Sequence, residues 1–354
     1  MSVGRWPKAI VLILAAGLLV AACGGSNNSG GAKTYKVGIS NTLTGNGFRE
    51  EMICSIKAQA KASGIVSKVI TANRTTDPSG QIADVRNLIS AGVNVIVMNP
   101  SDRSALDAVI KEATDKGIVV VTVDQGVTST GAYQLYNNQV KYAQLGADWL
   151  FKQIGGKGNV VEMRGINGVS ADADRHQGFQ ATLANYPNIK VIKETFTNWS
   201  LDPAAQQTKD IISSGLAVNG IWTSGIDSTV VTQFITLNKP FVPIIGADNN
   251  AFIGQLAGKI TNAKAKGLTG AAVTNPPTVG GAGLALGLNV LQGKAQPHLV
   301  NLDPVLWDNV SSTGLAELNN HYDPNLDAYY SDSFNIAPYT TYSKADLLAC
   351  ANVG

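Results

Sequence analysis

Several residues able to recognise a ligand stand just behind short apolar runs. In the first half of the chain they are Asn46, Phe48 and Arg49 in "SNTLTGNGFRE", Asn99 after "NVIVM", and Asp124 with Gln125 after "IVVVTV". The second half adds Arg164, Arg175, Trp199, Asp227, Asp248 and Asn249, and the loop before Pro276 adds Asn275. Amides, carboxylates and guanidiniums offer paired acceptors or donors that match neighbouring hydroxyls, and aromatic faces pack against C–H groups. A polyhydroxylated ligand such as a sugar asks for that mixture. Each position also has a plainer use. Asp124 and Asp248 could be helix N-caps, Asn99 before Pro100 could start a turn, Arg175 could pair with Asp172 or Asp174, and Phe48 could staple the first helix. Their joint occurrence favours ligand binding.

Signals for catalysis are weak. His176, His298 and His321 are scattered, no HExxH or GxSxG occurs, and "GLNVLQGKA" lacks both the spacing and the hydroxyl of a phosphate loop. "GAGLALG" imitates a dinucleotide fingerprint only loosely, and its small residues suit close helix packing. No enzyme activity, cofactor or metal is expected.

The elements that must position these residues show in the hydrophobic pattern. "KVGIS", "VSKVITA", "NVIVMNP" and "IVVVTVDQ" are near-continuous apolar runs, as in strands buried on both faces of a parallel sheet. Helical spacing fills Met52 to Ser63, Ser79 to Ala91 and Ser101 to Lys116, with Ser79 and Ser101 as expected N-caps and Gly92 and Gly117 as stops. The alternation restarts with "GNVVEMRGI", "IKVIKETFT", "GIWTSG" and "VPIIGADN", with helices at Asp174 to Ala184, Pro203 to Ser214 and Ser228 to Leu237. A small-residue helix over Val279 to Leu291, a strand near His298 to Leu306 and a tail whose last helix Ser343 and Asp346 cap complete the pattern. In open parallel sheets a ligand sits beyond the carboxyl ends of the strands, which is where the candidate residues fall.

The start of the chain reads as an export signal. Arg5 and Lys8 precede the 14-residue apolar run "AIVLILAAGLLVAA", which is too short to span a bilayer. Cys23 follows small residues, and "GGSNNSGGAK" behind it reads as a flexible tether. Without residues 1–22 the net charge of +2 falls to zero, because two positive residues are lost, and nothing points to nucleic acid. Cys54 and Cys350 then form a pair in an exported chain, either joined or as two thiols. Joining them would contribute about 5 kcal/mol at most in the chain-entropy account.

The stretches "VNVIVMNPSD", "IVVVTVD", "GINGVSADADRHQGF" and "IIGADNN" resemble the sugar-binding proteins of bacterial ABC importers, the ribose-binding-like branch of type I periplasmic binding proteins. "LVAAC" resembles the lipobox of bacterial lipoproteins, which implies lipidation of Cys23. The tail "SKADLLACANV" resembles that of longer members whose terminal cysteine bonds the first helix, which implies a disulfide between Cys54 and Cys350. Carried over by position, sugar contacts fall on Asn46, Phe48, Arg49, Asn99, Asp124, Arg175, Trp199 and Asp248. Departures from the ribose pattern are Gln125 for an Arg, Arg49 for an aromatic, Gly225 for an Asn and Thr274 for a Gln. They leave the class intact and make a sugar alcohol an alternative to ribose.

The resemblance implies an α/β fold of two doubly wound parallel-sheet lobes joined by a three-strand hinge. The expected division is a signal peptide over 1–22, a lipidated tether over 23–33, and an N-terminal lobe over 34–136 plus 276–301. A C-terminal lobe follows over 137–275 plus 302–325, and a tail over 326–354 docks back on the N-terminal lobe. The implied partners are a monosaccharide or polyol, an ABC permease with its ATPase, and the outer face of the cytoplasmic membrane through the lipid; a monomer is expected. The alternative role is a sensory receptor feeding a chemoreceptor or kinase. A transcriptional repressor shares this core fold, but the export signal argues against one.

Overall fold

The computed structural model describes residue 1, residues 33–260 and residues 267–350. The export signal, Cys23 and nearly all of the tether lie outside the described residues.

Two six-stranded sheets, each flanked by helices, build two lobes. The first sheet contains β1 (Tyr35–Asn41), β2 (Val66–Asn73), β3 (Val95–Met98), β4 (Val119–Val123), β5 (Tyr133–Asn137) and β11 (Leu299–Leu302), in the order β11-β5-β4-β3-β1-β2. All its pairs are parallel. The second contains β6 (Lys157–Arg164), β7 (Asn188–Phe196), β8 (Gly220–Trp222), β9 (Ile244–Ala247), β10 (Gly270–Val273) and β12 (Leu306–Asp308), in the order β12-β10-β9-β8-β6-β7. Only β12 runs antiparallel to its neighbour. Central strands such as β3 and β9 are buried along their whole length, whereas edge strand β2 carries exposed Ser67 and Lys68. Continuous apolar runs thus mark the centre of each sheet, and charged interruptions mark its edge.

The helices are α1 (Gly47–Ser63), α2 (Pro78–Ser90), α3 (Asp107–Asp115), α4 (Gln139–Gln153), α5 (Ser170–Leu183), α6 (Leu201–Ser213), α7 (Asp227–Thr236), α8 (Asn250–Leu256), α9 (Val279–Leu291), α10 (Ser312–Asn320) and α11 (Lys344–Cys350). Helix α1 begins earlier than its apolar spacing suggests, because the Asn46 side chain caps it by accepting from Arg49 N at 3.2 Å. Ser79 is not a cap; Asp77 is, with Pro78 opening α2. Ser101 does not cap α3 either. Asp102 folds the preceding residues into a turn by accepting from Ser104 N and Ala105 N at 2.8 and 2.7 Å. Gly92 and Gly117 do adopt positive φ behind α2 and α3. Helices α4, α8 and α10 have no counterpart in the sequence reading.

The chain crosses between the sheets three times: from β5 into α4, from β10 into α9, and from β11 to β12. The strand expected near His298 to Leu306 is therefore two strands in different sheets. Pro304, which has no N–H to give to a ladder, lies between them. Helix α9 packs on β3, β4, β5 and α1 through its small residues. Ser55 Oγ accepts from Gly281 N at 2.8 Å, and a Cβ on Gly281 would meet Ser55 O at 2.7 Å and the Tyr342 ring at 2.8 Å. Replacing Gly281 by Ala should cost about 1–3 kcal/mol of stability by overpacking, read from denaturant unfolding. Unchanged stability would show that α1 and the tail give way freely.

Candidate functional site

The ends of both sheets face one cavity. Asn46, Phe48, Arg49 and Asp124 line it from the first lobe, and Arg175, Trp199, Asp248, Asn249 and Asn275 from the second lobe and its exit. The cap on α1 turns the Asn46 amide toward the other lobe, where its Nδ2 donates to Trp199 O at 3.1 Å.

Two guanidiniums share this space. Arg49 is buried, and Nη1 donates to Asn41 Oδ1 at 3.3 Å. Burial lowers its pKa to about 10; nearby Asp124 opposes that shift and Arg175 adds to it. Arg175 Nε donates to Gln139 Oε1 at 2.7 Å, and its guanidinium lies over the Tyr142 ring at 4.3 Å. Neither acidic neighbour on α5 pairs with it, since Asp172 meets Arg164 and Asp174 meets Arg103, both at 2.6 Å.

Two carboxylates answer them. Asp124, held at φ 67°, accepts from Asn99 Nδ2 at 3.1 Å, Asn137 Nδ2 at 3.2 Å and Gln139 Nε2 at 3.0 Å. Asp248 accepts from Asn275 N at 2.9 Å and from Ser331 Oγ at 2.7 Å, and burial raises its pKa. It is not the cap of α8. Asn249 is, accepting from Phe252 N at 3.0 Å.

Trp199 takes positive φ with Asn198 before it, in a turn closed by Thr197 Oγ1. Its indole lies on Gly165, where a Cβ would come within 2.1 Å of the ring. Arg175 stands 5.8 Å from the ring centroid. The indole therefore has a fixed place among the cavity walls.

Asn99, Gln125 and Asp227 do not line the cavity. Asn99 orients Asp124. Gln125 donates to Asn99 Oδ1 at 2.6 Å and Pro100 O at 3.0 Å, and accepts from Ala171 N of the other lobe at 2.8 Å. Asp227 accepts from Gly225 N, Ala247 N and Asn249 Nδ2, and burial pushes its pKa up to about 7 against those bonds. Arg164 is absorbed by Asp172 and Glu194, away from the cavity. Glu162, His176 and Glu194 bring potential metal-ligand atoms together, but His176 bonds Glu162 and Arg164 bonds Glu194.

Four polar or aromatic groups were missed. Ser224, Tyr329 and Ser331 line the cavity, and Gln139 joins Asp124 to Arg175 from behind. Gln139 follows Asn138, which caps α4 by accepting from Lys141 N at 3.1 Å; that cap was the available signal. Ser331 lies in a tail with no strand or helix pattern.

Residues 37–295 match the family described as the periplasmic binding protein domain. The chain is 27% identical over 301 residues to the xylitol-binding protein of Mycolicibacterium smegmatis, covering 84% of this chain and 82% of that protein. It is 32% identical over 154 residues to the ribose import binding protein of Bacillus subtilis, covering 43% of this chain and only half, 50%, of that protein. A solved ABC transporter solute binding protein from Thermobispora bispora superposes with a TM-score of 0.74 at 25% identity, covering 90% of this chain and 94% of the other.

Gln139 gives the site a test that needs no ligand. Replacing it by Ala leaves Arg175 Nε unpaired and removes one donor from Asp124, so stability should fall by about 1–3 kcal/mol. Denaturant unfolding reads this directly, and an unchanged midpoint would mean that the two charges do not depend on Gln139.

Proposed function

The chain belongs to the periplasmic binding protein family, and from that premise we propose that it captures a monosaccharide, pentose or hexose, or a sugar alcohol between its lobes and delivers it to an ABC permease. The family is one of exported, non-catalytic solute-binding proteins. One observation carries the choice of ligand. Arg49 and Arg175 come from opposite lobes, pair with no carboxylate among the described residues, and face a cavity that also holds Asp124, Asp248 and an indole.

A hydroxyl both donates and accepts. It can take a guanidinium N–H on its oxygen and give its proton to a carboxylate, while the carbon skeleton packs on Trp199. Opposite charges in equal number suit a neutral ligand rather than a free ion. The similarity to a xylitol-binding protein supports including sugar alcohols. Contacts from both lobes would favour the closed form, because a ligand shifts that equilibrium only by its differential affinity.

We further propose that Cys23 carries lipid and holds the receptor at the outer face of the cytoplasmic membrane, and that Cys54 and Cys350 form a disulfide. These two thiols meet between α1 and α11, unlinked, in a cluster with Tyr342 and Leu347. The hydrogen bond between them raises the Cys54 pKa and lowers that of Cys350, and the thiolate is the form that attacks in disulfide formation. Thiol titration of the denatured, exported protein should find neither cysteine reactive until reductant is added. Two reactive thiols without reductant would remove the bond from the proposal.

A thermal-shift screen over pentoses, hexoses and alditols tests the ligand reading, since a ligand at 100 times its dissociation constant stabilises by about 2.7 kcal/mol. No shift with any of them would sink it. With a ligand found, Asp124→Ala or Asp248→Ala should weaken calorimetric affinity by about tenfold or more, the value of one charge-assisted hydrogen bond.

A further inference from the structure

The tail touches both lobes next to the cavity. On the second lobe, Ala251 N donates to Ala328 O and Asn250 N to Tyr330 O, both at 2.8 Å, and Ser331 bridges to Asn249. On the first, Tyr329 packs so closely on Gly47 that a Cβ there would come within 2.3 Å of the tyrosine Cβ. Ser331 N donates to Glu51 Oε2 on α1 at 2.7 Å.

The Ser331 hydroxyl has little freedom. Its oxygen accepts from Ser333 N at 3.1 Å, and it donates its proton to Asp248 Oδ2 at 2.7 Å. Ser331 is only 4% exposed and lines the cavity. With Asn275 N on Oδ1, both oxygens of Asp248 are held by protein donors, the Ser333 side chain also bonds the carboxylate, and Asp248 still lines the cavity.

We propose that Ser331 is a positioning residue of the ligand site: the C-terminal tail enters the cleft, aims the Asp248 carboxylate, and ties that aim to α1 of the other lobe through Glu51. This rests on the reading of the cleft as a polyol or sugar site. The tail is then part of what selects the ligand, in addition to bracing the fold. Removing the hydroxyl loosens the carboxylate, which keeps Asn275 N and the Ser333 side chain, and leaves Ser333 N without its acceptor, while the backbone bonds on both sides of Ser331 remain.

The test is calorimetry on the full chain with xylitol and D-ribose as probes, using Ser331→Ala, Ser331→Thr, Asp248→Asn and the double variant Ser331→Ala with Asp248→Asn. Ser331→Ala should weaken binding about five- to tenfold, within the value of one hydrogen bond to a charged group, with a modest fall in the ligand-free unfolding temperature from the bonds lost to Asp248 and Ser333 N. Ser331→Thr should restore most of the affinity. The double variant should bind no more weakly than Asp248→Asn alone, because Ser331 acts through Asp248. Ser331→Cys, close to serine in size and a poor donor, replaces the alanine variant if that chain does not fold, and should show the same loss. Wild-type affinity in Ser331→Ala beside a weakened Asp248→Asn overturns the role of the tail and leaves the site reading standing. Additive losses in the double variant also overturn it. Failure of the wild type to bind either probe overturns the proposal together with the ligand reading for these two compounds.

Discussion

Two positive charges in one small, largely buried space set the terms for the rest of this protein. Guanidiniums pulled out of water lose hydration that only hydrogen bonds and opposite charge can replace. The effect shows on Arg49, whose pKa burial lowers to about 10, with Arg175 pushing the same way and Asp124 opposing. Neither arginine pairs directly with a carboxylate among the described residues. Asp124 and Asp248 stand across the cavity instead, each held by protein donors, and Gln139 bonds to both Asp124 and Arg175. The walls thus hold their charges apart at fixed positions, as recognition of several hydroxyls at once requires.

That arrangement needs both lobes, and the bonds between them are specific. Asn46 reaches Trp199 O, Gln125 Oε1 accepts from Ala171 N, and Arg103 pairs with Asp174. The first two join buried or half-buried groups beside the cavity, while the third is half exposed and contributes little, as surface pairs do. Closure is therefore encoded mainly in amide contacts next to the ligand space. A ligand that bridges Arg49 to Asp248 adds to contacts the two lobes already make.

Most of the framework was legible because parallel strands buried on two faces leave continuous apolar runs, and the residue behind each run is placed by topology alone. This is why Asp124, Trp199 and Asp248 stand out in the sequence. What stayed hidden depended on contacts between distant segments. The strand near His298 to Leu306 looked single because its apolar residues do not record which sheet each half joins. Helix α1 began early because an asparagine cap, rather than apolar spacing, sets its first turn. Ser331 was out of reach for the same reason, since its importance comes from Asp248 and Glu51, 83 and 280 positions away.

The structure also separates cavity-lining from supporting residues among those that look alike in the sequence. Asp227 and Asp248 both lie in the second lobe at the carboxyl end of its sheet, and both are buried. Asp227 Oδ2 takes Gly225 N, Ala247 N and Asn249 Nδ2, and its Oδ1 takes Gly225 N as well, so its lone pairs serve the turns behind β8 and β9. A Cβ on Gly246 would stand 2.2 Å from its Cγ, which shows how completely the chain encloses it. Asp248 takes Asn275 N and the Ser331 and Ser333 side chains and opens on the cavity. Burial raises the pKa of both, so burial does not separate a residue facing the cavity from a strut. The side on which each carboxylate opens does: Asp248 lines the cavity, whereas Asp227 lies behind it and holds Asn249 in place.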